Sequence, residues 1–217
     1  MTGVLVGIGP EAVVIQSERS LLAVSSAPVG GGVARVRAVI NLHVRKSDPC
    51  LDPAAMMEAF ARRAGVPAPY VGLLTGAWTD AAQQAAATRY GIEALAVATV
   101  GLSNRMAAGL LAGAMPGHPS TINAVVVVDA EADPATLVNA VITVTEVKAR
   151  LLAELGVRDG GGQPATGTST DAVVVAATGT GPRARFGGPA SELGWVVARA
   201  ASQALEAGIR HWLETNP

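Results

Sequence analysis

Apolar residues in this chain follow two rhythms, and each predicts a kind of element. Thr121-Ile122-Asn123 leads into Ala124-Val125-Val126-Val127-Val128, a β-branched run of the sort a buried strand produces. Asp129 closes it. Asp133-Pro134 then opens a helix, because Asp is a preferred N-cap and Pro is best tolerated at the first helical position. Leu137, Val141, Val144, Leu151 and Leu155 fall near one stripe of that helix. Lys148 interrupts the stripe, although its stem can lie along it. Gly156 reads as the C-terminal cap. A Gly-rich loop, the segment ATGTSTD and a second strand, Ala172 to Ala177, complete the unit.

The flanking segments extend this pattern. Val4 to Ile8, Ala12 to Ile15 and Leu21 to Ser25 are short apolar runs separated by Gly9-Pro10 and Ser17-Glu18-Arg19-Ser20, which predicts hairpins or a meander. Between Val33 and Val44, Ala34, Val36, Ala38, Ile40, Leu42 and Val44 share one face of a strand. Arg35, Arg37, Asn41 and His43 share the other with Val33 and Val39, the signature of a two-faced antiparallel strand. Asp52-Pro53 repeats the helix start, with a stripe of Met56, Phe60 and Ala64 ending at Gly65. Val71 to Thr75 and Ile92 to Val100 read as strands, and the Ala-rich stretch Thr79 to Tyr90 as partly helical. Ser191 caps a last helix from Leu193 to about Leu213. Together these elements predict one α+β domain over residues 1–217, with a mixed, largely antiparallel sheet (or sheets) and packed helices. A layered α/β/β/α sandwich is one arrangement that satisfies the pattern.

Composition narrows the options. Half of the 217 residues are hydrophobic but only 3% are aromatic, so Ala, Val, Leu and Gly must build the core. The formal net charge is −1, and no basic patch points to nucleic acid. Cys50 is the only cysteine, which suits a reducing compartment. The start MTGVLVGIGPEAVV has neither the basic opening nor the long apolar core of a signal peptide, and Ser103-Asn104-Arg105 breaks the most membrane-like stretch, Leu95 to Met115. The expectation is a soluble cytoplasmic protein with no nucleic-acid or membrane partner; homo-oligomerisation is left open.

Several chemistries lack their motifs. His43, His118 and His211 are scattered and Cys50 stands alone, so no metal site is expected. There is no P-loop, no GxGxxG opening a helix and no GxSxG elbow. What remains are hydroxyls and amides at strand exits: Ser25-Ser26, Thr75, Ser103-Asn104, and Thr166 to Asp171. Such groups suit amide hydrolysis, and equally the binding of a polar ligand. The TGTSTD loop reads either as a turn or as hydroxyls gathered around Asp171. Asn139, Thr143, Glu146 and Arg150 share one side of the central helix, either as a solvated face with a Glu146–Arg150 pair or as one wall of a site. His43 reads as a base or as part of a solvated strand face.

At these positions the sequence resembles the adenosylcobinamide amidohydrolase family. The matching stretches are VGLLTGA (71–77), ALAVATVGLSN (94–104), TINAVVVVDAEADPATLVNAVITVTEVKARLL (121–152), ATGTSTDAVVVA (165–176) and GGPASELGWVVARA (187–200), with weaker likeness around SSAPVGGG and AVINLHV. The resemblance implies hydrolysis of the amide between a corrin carboxyl side chain and its aminopropanol arm, giving adenosylcobyric acid for corrinoid (vitamin B12) salvage. It makes the corrinoid the substrate and implies no cofactor or bound metal. Val29 stands where the family's loop leads one to expect Asn. The layout also faintly resembles self-cleaving amidase folds, in which two sheets lie between helix layers, and this brings a hydroxyl nucleophile into consideration. On this reading Asp171 and Glu146 are acid/base or orienting carboxylates, and Thr170 or Ser103 is the nucleophile. Asn104, Asn139 and Thr75 bind or polarise the amide, with Thr143, Gly167 and Thr168 completing the substrate contacts. The rival readings are a corrinoid-binding protein without turnover and an amidase for another bulky substrate.

Overall fold

The computed structural model describes residues 1–45, 52–110 and 120–216; Cys50 and His118 lie outside them. In chain order the elements are β1 (Val4–Ile8), β2 (Ala12–Ser25), β3 (Gly32–His43), α1 (Pro53–Ala64), β4 (Tyr70–Thr75), β5 (Gln83–Arg89), β6 (Ile92–Val100) and β7 (Arg105–Met106). They continue with β8 (Ile122–Val128), β9 (Glu131–Ala132), α2 (Pro134–Glu154), β10 (Gly167–Thr168), β11 (Ala172–Ala177), β12 (Arg183–Ala184) and α3 (Glu192–Thr215). The main sheet has the order β4-β3-β2-β11-β8-β6-β5, with β1 added to β2. Its pairings are antiparallel except β3 with β4 and β8 with β11.

This sheet folds over on itself. Val13, Ile15, Val39, Val71 and Leu73 share one apolar cluster with Val97, Val125, Val127 and Val174, so the β2–β3–β4 part lies against the β11–β8–β6 part. The outer face of the second part packs under α2 and α3 through Ala94, Ala96, Val126, Val175, Leu137, Val144, Val197 and Ala204. The outer face of the first is covered by α1, with Ala38, Ile40 and Leu42 against Met57, Phe60 and Ala61. The result is a layered α/β/β/α sandwich, within the α+β class expected. Small side chains make the helix contact close. A Cβ on Gly208 of α3 would stand 2.7 Å from Val100 Cγ2.

The helix starts follow the capping logic: Asp52 accepts from Ala55 N, Asp133 from Thr136 N and Ser191 from Gly194 N. Helix α2 ends one residue earlier than its glycine suggests. Leu155 is the cap, and Gly156 follows it at φ 70°.

Three expectations change. The polar run Ser17–Ser20 does not end a strand: β2 passes through it with a register shift between Gln16 and Leu21. Thr79 to Tyr90 holds only a three-residue 3-10 turn, Thr79–Ala81, before β5. Ala85 and Ala87 pack inward there while Gln84, Ala86 and Thr88 are exposed, a period of two that alanine's helix propensity concealed. The polar face of β3 is not solvated at its end, since Asn41 is buried between the layers.

Candidate active site

The strand directions bring one set of chain ends together. Parallel pairing sets the ends of β3 and β4 side by side, His43 opposite Thr75. Antiparallel pairing sets the exit of β6 beside the entry of β8, Val100 opposite Ile122. Strand β11 enters next to β8, so Asp171, the residue before it, reaches the same edge. A buried polar bridge joins the two layers here. Asn41 Nδ2 donates to Thr99 Oγ1 (2.9 Å), and Asn123 Nδ2 donates to Asn41 Oδ1 (2.8 Å) and to the Leu74 carbonyl (2.9 Å). Thr121 Oγ1 extends the bridge to Asn123 Oδ1 and to the Thr170 carbonyl (2.7 Å). A buried network of this kind is stable only when its members are satisfied, and its geometry is correspondingly fixed.

Asp171 forms a second knot. Its Oδ1 accepts from Ile122 N (2.9 Å) and from the Thr168 hydroxyl; its Oδ2 accepts from Thr168 N (3.0 Å) and from Lys148 Nζ. The Lys148 and Asp171 side chains are each only 10% exposed. Gly167 is required here by space: a Cβ would come 2.3 Å from Asp171 Oδ2 and 2.8 Å from Lys148 Nζ. Four donors meet this carboxylate and tie it to the entry of β8, to the 167–171 turn and to α2.

Beside these knots opens a cavity of about 510 Å³ lined by His43, Trp78, Ser103, Ser120, His211 and Trp212, among others. Ser120 is 1% exposed, and its Oγ accepts a hydrogen bond from Ser103 N (3.0 Å). Its carbonyl accepts from the Thr170 hydroxyl (3.4 Å). Gly101 leaves room for that side chain, because a Cβ there would lie 2.8 Å from Ser120 Oγ. His43 Nδ1 lies 2.9 Å from the Ala77 carbonyl. A carbonyl can only accept, so Nδ1 carries the proton and Nε2 is left as the acceptor.

The residues named from sequence separate into groups. Asp171, Thr168, Thr170 and Gly167 come together around Ser120 and Ile122. Asn104 joins them by donating from Nδ2 to Ser169 Oγ, and exposed Ser103 stands at the cavity wall. Thr75 is fully buried, and its hydroxyl accepts from Ala77 N (3.0 Å), which shapes the turn ahead of Trp78. Asn139, Thr143 and Glu146 belong elsewhere. Thr143 Oγ1 donates to the carbonyls of Gly187 (2.9 Å) and Asn139 (3.2 Å), fastening α2 to the loop before α3. Glu146 lines a shallow groove with Trp195, Arg199 and Ser202, and the expected Glu146–Arg150 pair is replaced by Arg150 with Glu154. The two acids therefore do not share a cleft. Val29 bridges to Gly72 through its backbone and packs toward α1. Sequence reasoning missed Lys148, Ser120 and Trp78. An apolar-stripe lysine was the only signal for the first, and nothing in the sequence marked the others.

Residues 6–217 match the family model for adenosylcobinamide amidohydrolase. The chain belongs to that family. It is accordingly an amide hydrolase. An adenosylcobinamide amidohydrolase of Methanosarcina mazei is 29% identical over 196 residues, covering 85% of this chain and 88% of the relative. A beta-aminopeptidase of Burkholderia sp. has the same fold, with a TM-score of 0.54 at 14% identity, over 98% of this chain and 84% of that one. Among the described residues no three His, Cys, Asp or Glu side chains come close enough to hold a metal ion, and no helix is long and apolar enough to cross a membrane.

Proposed function

We propose that the cavity hydrolyses the aminopropanol amide of adenosylcobinamide, giving adenosylcobyric acid and returning incomplete corrinoids to cobalamin assembly. Family membership and the activity named for the Methanosarcina relative support the substrate. The observation that carries the chemistry is Ser120, a buried hydroxyl in the cavity wall whose oxygen already receives a backbone N–H. That donation favours the anionic form of the oxygen and so its attack on an amide carbon. His43, with Nδ1 tied to a carbonyl, offers Nε2 on the same cavity to take the proton and return it to the departing amine. Water then cleaves the resulting ester and leaves the carboxylate. Asp171, Thr168 and Thr170 act as positioning residues for the 120–122 entry, with Asn104 bracing the loop; Glu146, Asn139 and Thr143 take no part. With a single cysteine in the chain, we assign the reaction to the cytoplasm.

The test is incubation with adenosylcobinamide, following aminopropanol release and the new carboxylate by mass spectrometry. Ser120→Ala is expected to fold and bind the corrinoid without releasing product. Tight binding by the unaltered protein with no release would make it a carrier. Cleavage of other bulky amides but not this one would overturn the substrate.

A further inference from the structure

Aromatic residues are scarce here, and their placement is uneven. They form 3% of the chain, and the largest fully buried side chains are all Ile, Leu or Met. Yet of three tryptophans and three histidines, Trp78, Trp212, His43 and His211 line the one cavity already described. Trp78 is 68% exposed, a large apolar surface left in water next to a catalytic pocket. Its plane is nevertheless fixed. The His43 ring stacks on it at 4.9 Å and 15°, and His43 is itself held by the carbonyl of Ala77, the residue before Trp78. The Thr75 hydroxyl pins Ala77 from the other side. A rigid, exposed indole presents a flat, polarisable face at little cost in conformational entropy, which is what a broad conjugated ring needs from its receptor.

We propose that Trp78 is the docking plane for the substrate's conjugated macrocycle, with Trp212 of α3 as the second aromatic contact. The inference rests on the amidohydrolase reading and adds to it the means by which the ring is gripped while its amide arm reaches Ser120. The backbone turn Thr75–Trp78 thereby becomes a specificity element: it selects for the ring, and the hydroxyl and imidazole act on the arm.

Two measurements test this. Corrinoids absorb where indole emits, so cobinamide binding is titrated by quenching of tryptophan fluorescence, independently of turnover. Trp78→Ala is expected to weaken Kd and raise KM about five- to tenfold with kcat nearly unchanged, and Trp78→Phe to recover most of the loss. Trp195→Phe, in the groove between α2 and α3, is the control and keeps the unaltered Kd. Unchanged Kd and KM in Trp78→Ala would overturn the proposal. So would a fall in kcat at constant KM, which would make Trp78 a prop for His43 instead. If the unaltered protein bound cobinamide without cleaving it, the catalytic reading would fail while the Kd comparison still decided the role of Trp78.

Discussion

Replacing Asp171 by Asn removes one charge from a place where four donors converge. The amide keeps a single acceptor oxygen and turns an NH2 group either toward the Lys148 ammonium and the Thr168 N–H or toward the Ile122 N–H and the Thr168 hydroxyl, so at least one backbone N–H loses its acceptor. Lys148 is then left with its side chain 10% exposed and no counter-charge. Breaking a buried pair in this way costs about 3–5 kcal/mol. With a urea slope of about 2 kcal/mol/M, the unfolding midpoint is expected to fall by roughly 1.5–2.5 M at unchanged slope. Lys148→Met is milder, about 1–3 kcal/mol, because three hydrogen bonds still support the carboxylate. The double variant should cost less than the two single changes added together, by more than about 1 kcal/mol, since it removes the orphaned ammonium. Turnover should fall in Asp171→Asn even where the protein stays folded, because one amide oxygen cannot serve both Lys148 and Ile122 N, and the start of β8 beside Ser120 loses its fixed anchor. A variant within about 0.5 kcal/mol of the parent that also retained full turnover would refute the reasoning, leaving Asp171 as an ordinary turn residue.

Gly101→Ala probes the space around the proposed nucleophile. The backbone there accepts any residue, so the added methyl acts mainly by meeting Ser120 Oγ at 2.8 Å and Ala77 Cβ at 3.4 Å. The expected stability loss is about 1 kcal/mol with a disproportionate loss of kcat, and unimpaired steady-state kinetics would show that Ser120 has latitude. At the opposite ends of β8 and β11, the hydroxyls of Thr178 and then Thr180 hold the Asp129 carboxyl below its ordinary range. A depressed folded pKa contributes stability above the unfolded value, and that contribution disappears as pH falls through the folded one. Thr178→Val with Thr180→Val should return Asp129 toward the usual carboxylate pKa in an NMR titration and flatten the acid limb of stability; an unmoved titration would rule out the hydroxyls as the cause.

How legible each part was depended on how local its cause is. Strands β8 and β11 and helix α2 could be read because a strand buried on both faces is a continuous apolar run and an Asp-Pro start is a contiguous signal. The class of the fold followed from those elements and from the resemblance. The bulge in β2 could not be read, since four polar residues inside a strand look the same as a turn. Lys148 looked like an interruption in an apolar stripe because its partner, Asp171, lies 23 residues away. Asn41 looked solvated because only the second sheet layer, through Thr99 and Asn123, buries it. The site is assembled from strand ends whose neighbours are set by topology, so spacing along the chain correctly grouped Thr168 with Asp171 and wrongly grouped Glu146 with them.

The sheet order has a consequence for how the molecule is made. Strand β11 sits in the middle of the sheet, between β2 and β8, yet it emerges during synthesis after the strands that flank it there. Until residues 172–177 arrive, two Val-rich neighbours have raw hydrogen-bonding edges with nothing to pair them, and such edges invite association with other chains. The closing partner of Ser25 is Val174, so this step also waits on a long loop closure. The nascent protein is therefore most exposed to aggregation while residues 172–177 are still to come, and a single six-residue insertion ends that exposure while bringing Asp171 to its station.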